Sequence, residues 1–67
     1  MRQFVWKQAN GEIMHVVVDT DLGTVTAYNS MGRPLMHWTG LSPAAIGKVI
    51  QDFLELMAIE TDDPLPF

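Results

Sequence analysis

The chain reads as an α+β domain, a four-stranded antiparallel meander followed by one amphipathic helix, and three observations carry that reading. Turn-forming clusters recur about every ten residues, at Asn10-Gly11, Asp19–Gly23 and Asn29–Gly32, the rhythm of strands joined by hairpins. The segments between them are short and rich in β-branched and aromatic residues, which suit a pleated, half-buried surface. Only one stretch, Ser42 to Ile59, repeats its apolar residues at helical spacing over several turns.

Taken in order, residues 2–7 (RQFVWK) alternate Phe4 and Trp6 with Val5 and predict a first strand. Asn10-Gly11 follows, a dipeptide whose residues both reach positive φ in the tightest hairpins. Residues 13–19 (IMHVVVD) are nearly continuous in apolar character apart from His15, as in a strand covered on both faces. The turn DTDLG offers aspartates that bond their own backbone. Residues 24–28 (TVTAY) and 34–39 (PLMHWT) supply the third and fourth strands. Pro34 has no N–H for a ladder, so it belongs at a strand start or a sheet edge.

Ser42 is suited to cap a helix, because its hydroxyl accepts from a free N–H of the first turn. Pro43 falls at the first helical position, where its missing N–H costs nothing. Ile46, Val49, Ile50, Phe53, Leu54 and Met57 then form an apolar stripe, which Ala45 and Leu56 widen to roughly half the circumference. The helix is predicted over about 43–59, with Leu41 as a hydrophobic staple at its start. Burying each large side chain of the stripe contributes about 1.5–3 kcal/mol, against about 0.3–0.5 kcal/mol for the exposed Lys48–Asp52 pair. Docking on a sheet therefore decides where the helix sits. Residues 1–59 form the expected ββββα domain, and residues 60–67 an acidic, proline-containing tail. That tail is expected to be flexible, with Leu65 and Phe67 as its anchors if it docks.

Sixty-seven residues make a single domain with a small core and, lacking cysteine, no disulfide or thiolate metal site to reinforce it. Oligomerisation is the usual supplement. Hydrophobic residues make up 48% of the chain, which excludes intrinsic disorder. No run reaches the roughly 18 apolar residues of a membrane span, and residues 1–8 lack the apolar core of a signal peptide. A cytoplasmic protein with no cofactor is the expectation. The net charge of −4 arises beyond Lys48, where five acidic residues meet no basic one. Such a balance is a poor footprint for nucleic acid, which needs clustered Lys and Arg.

One helix covers one sheet face, so a second face is expected to stay open. Met14, Val16, Val18, Met36 and Trp38 are read as one apolar set, distinct from Ile13, Val17, Val25, Ala27 and Leu35. The first set, with Leu56 and Ile59, supplies the expected contacts of a homodimer or another protein partner. The leading expectation is thus a homodimeric, non-enzymatic interaction module.

Other chemistries fit less well. VVVDTDLGTV resembles the nucleophile motif of haloacid-dehalogenase-type phosphatases, with Leu22 inserted before the glycine. That resemblance implies a parallel sheet and a later Lys for which the chain has no room, so two aspartates shaping a turn account for it better. An EF-hand counted from Asp19 reaches Ser30 where its closing Glu belongs. A metal-assisted hydrolase would need His15 and His37 to converge with Asp19 or Asp21. Ser30 and Ser42 are explained by a turn and a helix cap, which leaves no nucleophile. In element order alone, the chain is similar to the transcription-coactivator family that binds single strands. That likeness implies Trp6, Tyr28 and Trp38 stacking on bases beside Arg2, Lys7 and Arg33.

Overall fold

The computed structural model describes residues 1–67 and bears out the α+β meander. The elements run β1 (Arg2–Lys7), β2 (Ile13–Asp19), β3 (Thr24–Tyr28), β4 (Pro34–Trp38), α1 (Pro43–Glu55) and β5 (Ile59–Thr61). They form one sheet in the order β4-β3-β2-β1-β5, antiparallel at every pairing. Pro34 opens β4, and β4 lies at the sheet edge, so the proline interrupts no ladder.

The hairpins form where the turn residues predict, with one correction to the first. Only Gly11 has positive φ there, at 87°, and Asn10 does not. Asn10 instead accepts the Glu12 N–H on its side-chain Oδ1 at 2.9 Å, while Gly11 N–H donates to the Gln8 carbonyl. The Asn29–Arg33 loop repeats that bonding, Gly32 N–H donating to the Asn29 carbonyl. Longer loops of this kind need only one left-handed residue.

Register settles the faces, and it corrects the two apolar sets. Val16 stands opposite Ala27 and Val18 opposite Val25, while Ala27 and Val25 stand opposite Met36 and Trp38. Directly paired residues share a face, so all of these lie together. They lie under the helix: Phe4, Met14, Val16, Val18, Val25 and Ala27 form one buried cluster with Ile46, Ile50 and Ala58. The opposite face carries Gln3, Val5, Ile13, His15, Val17, Thr24 and Thr26. It is more polar than the sequence reading expected.

Ser42 caps the helix as its residue type predicts, its Oγ accepting the Ala45 N–H at 3.2 Å. Leu41 packs against the core just before the cap, as a staple does. The far end departs from expectation, because the helix stops at Glu55 and not at Ile59. Ala58 N–H returns to the Phe53 carbonyl and Met57 N–H to the Leu54 carbonyl, the paired bonds of a Schellman stop. Met57 takes the left-handed position at φ 70°, a place glycine usually fills. Met57 accordingly leaves the expected stripe and is 83% exposed, whereas Ala58 turns into the core. The chain then runs on as β5 against β1, pairing Ile59, Glu60 and Thr61 with Val5, Phe4 and Gln3. Arg2 fastens this short strand with two bonds to Glu60, Nε to Oε2 at 2.7 Å and Nη2 to Oε1 at 2.6 Å. That bonding holds the Glu60 carboxyl below its usual range and raises the Arg2 guanidinium.

Candidate interaction surface

β4 and β5 are the sheet edges, and β4 is the one exposed along its whole length. All five residues of β4 are exposed, and each of β1, β2 and β3 buries at least one side chain. Leu35 is 50% exposed, Met36 44% and Trp38 42%. Their outer backbone groups have no strand to bond, which leaves a template for another chain.

Beside β4 the helix does not close down on the sheet. Trp38 and Leu41 on one side and Val49, Phe53 and Leu56 on the other border an open groove of about 330 Å³, with Asp52 at its rim. Its walls follow from the helix period. Val49, Phe53 and Leu56 follow one another at i, i+4 and i+7 on the flank of the stripe beside Ile46 and Ile50. Phe53 is steadied by Trp6, whose ring meets it edge-on at 6.0 Å. Lys48 holds Asp52 at 2.6 Å, so the carboxylate at the rim is paired.

The expected partner contacts therefore divide. Trp38 and Leu56 border the groove and Met36 lies on the same exposed strand. Met14, Val16 and Val18 are buried beneath the helix and cannot meet a partner, because their register places them on the covered face. Ile59 is exposed but lies at the opposite sheet edge, on β5. Leu41, Val49 and Phe53 were missed. The signal for them was present, since a residue preceding a cap and two stripe residues on one flank mark the mouth of a helix–sheet groove.

The nucleic-acid candidates scatter. Arg2 is bonded to Glu60, Trp6 is packed on Phe53 and Trp38 lies at the groove. Lys7 and Tyr28 lie on the helix-free side, and Arg33 in the β3–β4 turn. No single surface gathers the three cations with the aromatics. The metal candidates separate as well. Asp19 Oδ1 accepts the N–H groups of Asp21 and Leu22, each at 3.0 Å, and so builds its turn. His37 Nδ1 lies 2.7 Å from Thr26 Oγ1, while His15 stands four residues from Asp19 on the same strand, roughly 13 Å away. No group of three His, Asp or Glu side chains is placed to share an ion.

The helix-free face is not bare. Residues after β5 cross it, and Phe67 packs on His15 at 5.4 Å and on Tyr28 at 5.5 Å. Leu65 and Phe67, the anchors expected of a docked tail, lie against this face. No helix is long and apolar enough to cross a membrane. No protein family, curated protein or solved structure matches this chain.

Proposed function

We propose that the chain is a small non-enzymatic interaction module that pairs with a second copy through β4 and the groove beside it. The observation that carries this reading is the exposure of β4 along its whole length, next to an apolar groove. A five-residue edge strand is self-complementary about a two-fold axis, because antiparallel pairing of two identical strands gives each the same neighbours. Charge favours this edge over the other. Pro34–Trp38 carries no Asp, Glu, Lys or Arg, whereas β5 and its sequel present Glu60, Asp62 and Asp63, which two copies would bring face to face. β5 is also only three residues long.

A standard interface buries about 800 Å² per partner. That is about a sixth of the 4589 Å² surface, and Leu35, Met36, Trp38 and the groove walls would form the apolar centre of such a patch. The cytoplasm is part of the same proposal, a compartment with which a chain lacking cysteine is compatible. Sedimentation at micromolar concentration tests the reading. The expected species is twice the 7.5 kDa chain mass, reduced to one chain by Leu35→Lys on the strand or Leu56→Lys on the groove wall. A clean single-chain species for the unaltered protein overturns it.

A further inference from the structure

We propose that His37 makes pairing through β4 sensitive to pH, neutral imidazoles admitting the second copy and protonated ones driving it off. This inference rests on the pairing proposed above and names its regulation.

His37 is the one titratable side chain on β4, and it is exposed there. Register places it opposite Thr26, so it stands on the helix-free face beside the open edge. Its Nδ1 lies 2.7 Å from Thr26 Oγ1. A hydroxyl donates or accepts as required, so that contact survives protonation and keeps the ring on this face in both states.

Two-fold symmetry brings the ring to its own copy. Residues paired directly across antiparallel strands share a face, so a strand paired with itself in one sheet has a residue on the axis. The ladder to β3 is regular from Trp38 to Met36 and then skips Leu35. Pairing centred on that regular stretch sets the two His37 residues directly opposite, with Cβ atoms about 5 Å apart. Each Trp38 then meets Met36 of the second copy on the groove side. Full overlap of Pro34–Trp38 centres on Met36 instead and leaves the two His37 residues as diagonal neighbours, about 7 Å apart. Either alignment brings the two imidazoles together.

Nothing nearby offsets the charge they would share. β3 and β4 carry no Asp or Glu, and the chain's two ion pairs, Arg2–Glu60 and Lys48–Asp52, do not involve His37. On the same face, His15 and Asp19 stand two strands and two residues away, roughly 12 Å. That exceeds the screening length of about 8 Å at physiological salt. Tyr28, diagonal to His37 on β3, offers only a phenol. Arg33, four residues along the chain and roughly 13 Å off, adds positive charge. Asp63 lies over β1 beside Gln3 and Val5, and Asp52 belongs to the groove on the other face. Histidine is the side chain that ordinarily changes charge between about pH 8 and pH 5. Two unit charges about 5–7 Å apart at a protein surface repel enough to weaken a pair on the order of tenfold. Pairing is therefore full above the imidazole range and falls as pH drops through it. The overall charge works the other way: acidification carries the chain from −4 toward its isoelectric point of about 4.7, which favours association. A loss of pairing on acidification thus has a local cause.

Sedimentation across a concentration series at about pH 7.5 and about pH 5.5, on either side of the imidazole range, tests the inference. The unaltered chain is expected to pair about tenfold more weakly at the lower pH. Sodium chloride at about 1 M, where the screening length is about 3 Å, is expected to restore most of that loss. His37→Gln keeps a hydrogen-bonding side chain without the charge and is expected to pair equally at both pH values. His37→Lys fixes the charge and is expected to pair weakly at both, while His15→Gln keeps the full dependence. Circular dichroism checks that each variant keeps the sheet. Equal pairing of the unaltered chain at both pH values overturns the inference and leaves pairing through β4 standing. A dependence that survives in His37→Gln does the same. A single-chain species at the higher pH overturns both readings.

Discussion

Gly23→Ala tests how the β2–β3 turn is joined to the helix entry. Gly23 has φ 67°, and a Cβ built on it would stand 2.6 Å from the Leu41 carbonyl oxygen and 3.3 Å from the Leu41 nitrogen. Leu41 N–H donates to the Gly23 carbonyl at 3.0 Å, so the two backbones touch just before the helix cap. Gly40 is the natural control, since it has the same φ of 67° but nothing within 4 Å of its Cβ position. The left-handed backbone costs an alanine about 1 kcal/mol at either site, and the unfolded-chain entropy change is common to both. At Gly23 the backbone must also separate, which strains or breaks the Leu41 bond and loosens the staple, for about 1–3 kcal/mol more. Urea denaturation at neutral pH is expected to show a loss of about 2–4 kcal/mol for Gly23→Ala and about 1 kcal/mol for Gly40→Ala. Total stability at this length is about 3–10 kcal/mol, so the first variant loses a large share and the second does not. Equal losses at the two sites would refute the reasoning, because the close approach would then carry no energy.

Three further outcomes follow from the geometry. Met57→Gly relieves a left-handed methionine that is 83% exposed; the gain, about 0.5 kcal/mol after the added freedom of the unfolded chain, is read as a rise of about 2–4 °C in thermal midpoint. Ile50→Ala empties a buried site where the helix meets the sheet and is expected to cost about 2–5 kcal/mol by denaturant titration. The Arg2–Glu60 pair gives stability a mild acid dependence, because the Arg2 hydrogen bonds and charge hold the folded Glu60 carboxyl below its usual 4.5. A depressed carboxyl stabilises fully above the unfolded value and loses that contribution as pH falls through the folded one. Glu60→Gln is expected to flatten this part of the stability profile below pH 4.5.

How much of this was legible in the sequence depended on range. Local signals held: Ser42-Pro43 starts the helix, the glycine-bearing turns close the hairpins, and Pro34 marks an edge. The faces were not legible, because which residues share a side depends on how many residues each loop spends outside the ladder. One step of register moves Val25 and Ala27 from the open face to the covered one. The helix stop was hidden because the left-handed position is filled by Met57, which reads as one more apolar residue of the stripe. β5 was hidden because Ile59–Thr61 pairs with a strand at the other end of the chain. Phe67 packs on His15 and Tyr28 across a long sequence separation, a fact of tertiary shape and not of local pattern. The open groove shifts the case for pairing away from the helix-free sheet face, which proved mostly polar, to the edge at β4.

Pairing through that edge is the central claim, and amide resonances compared between the unaltered chain and its Leu35→Lys variant at the same micromolar concentration test it most directly. Shifts are expected to differ at Trp38 and at Leu41, Val49, Phe53 and Leu56, beyond the neighbours of the substitution. Hydrogen exchange at β4 is expected to be slower in the unaltered chain. Identical spectra away from residue 35, or differences centred on Ile59–Thr61 at the other edge, would contradict the account.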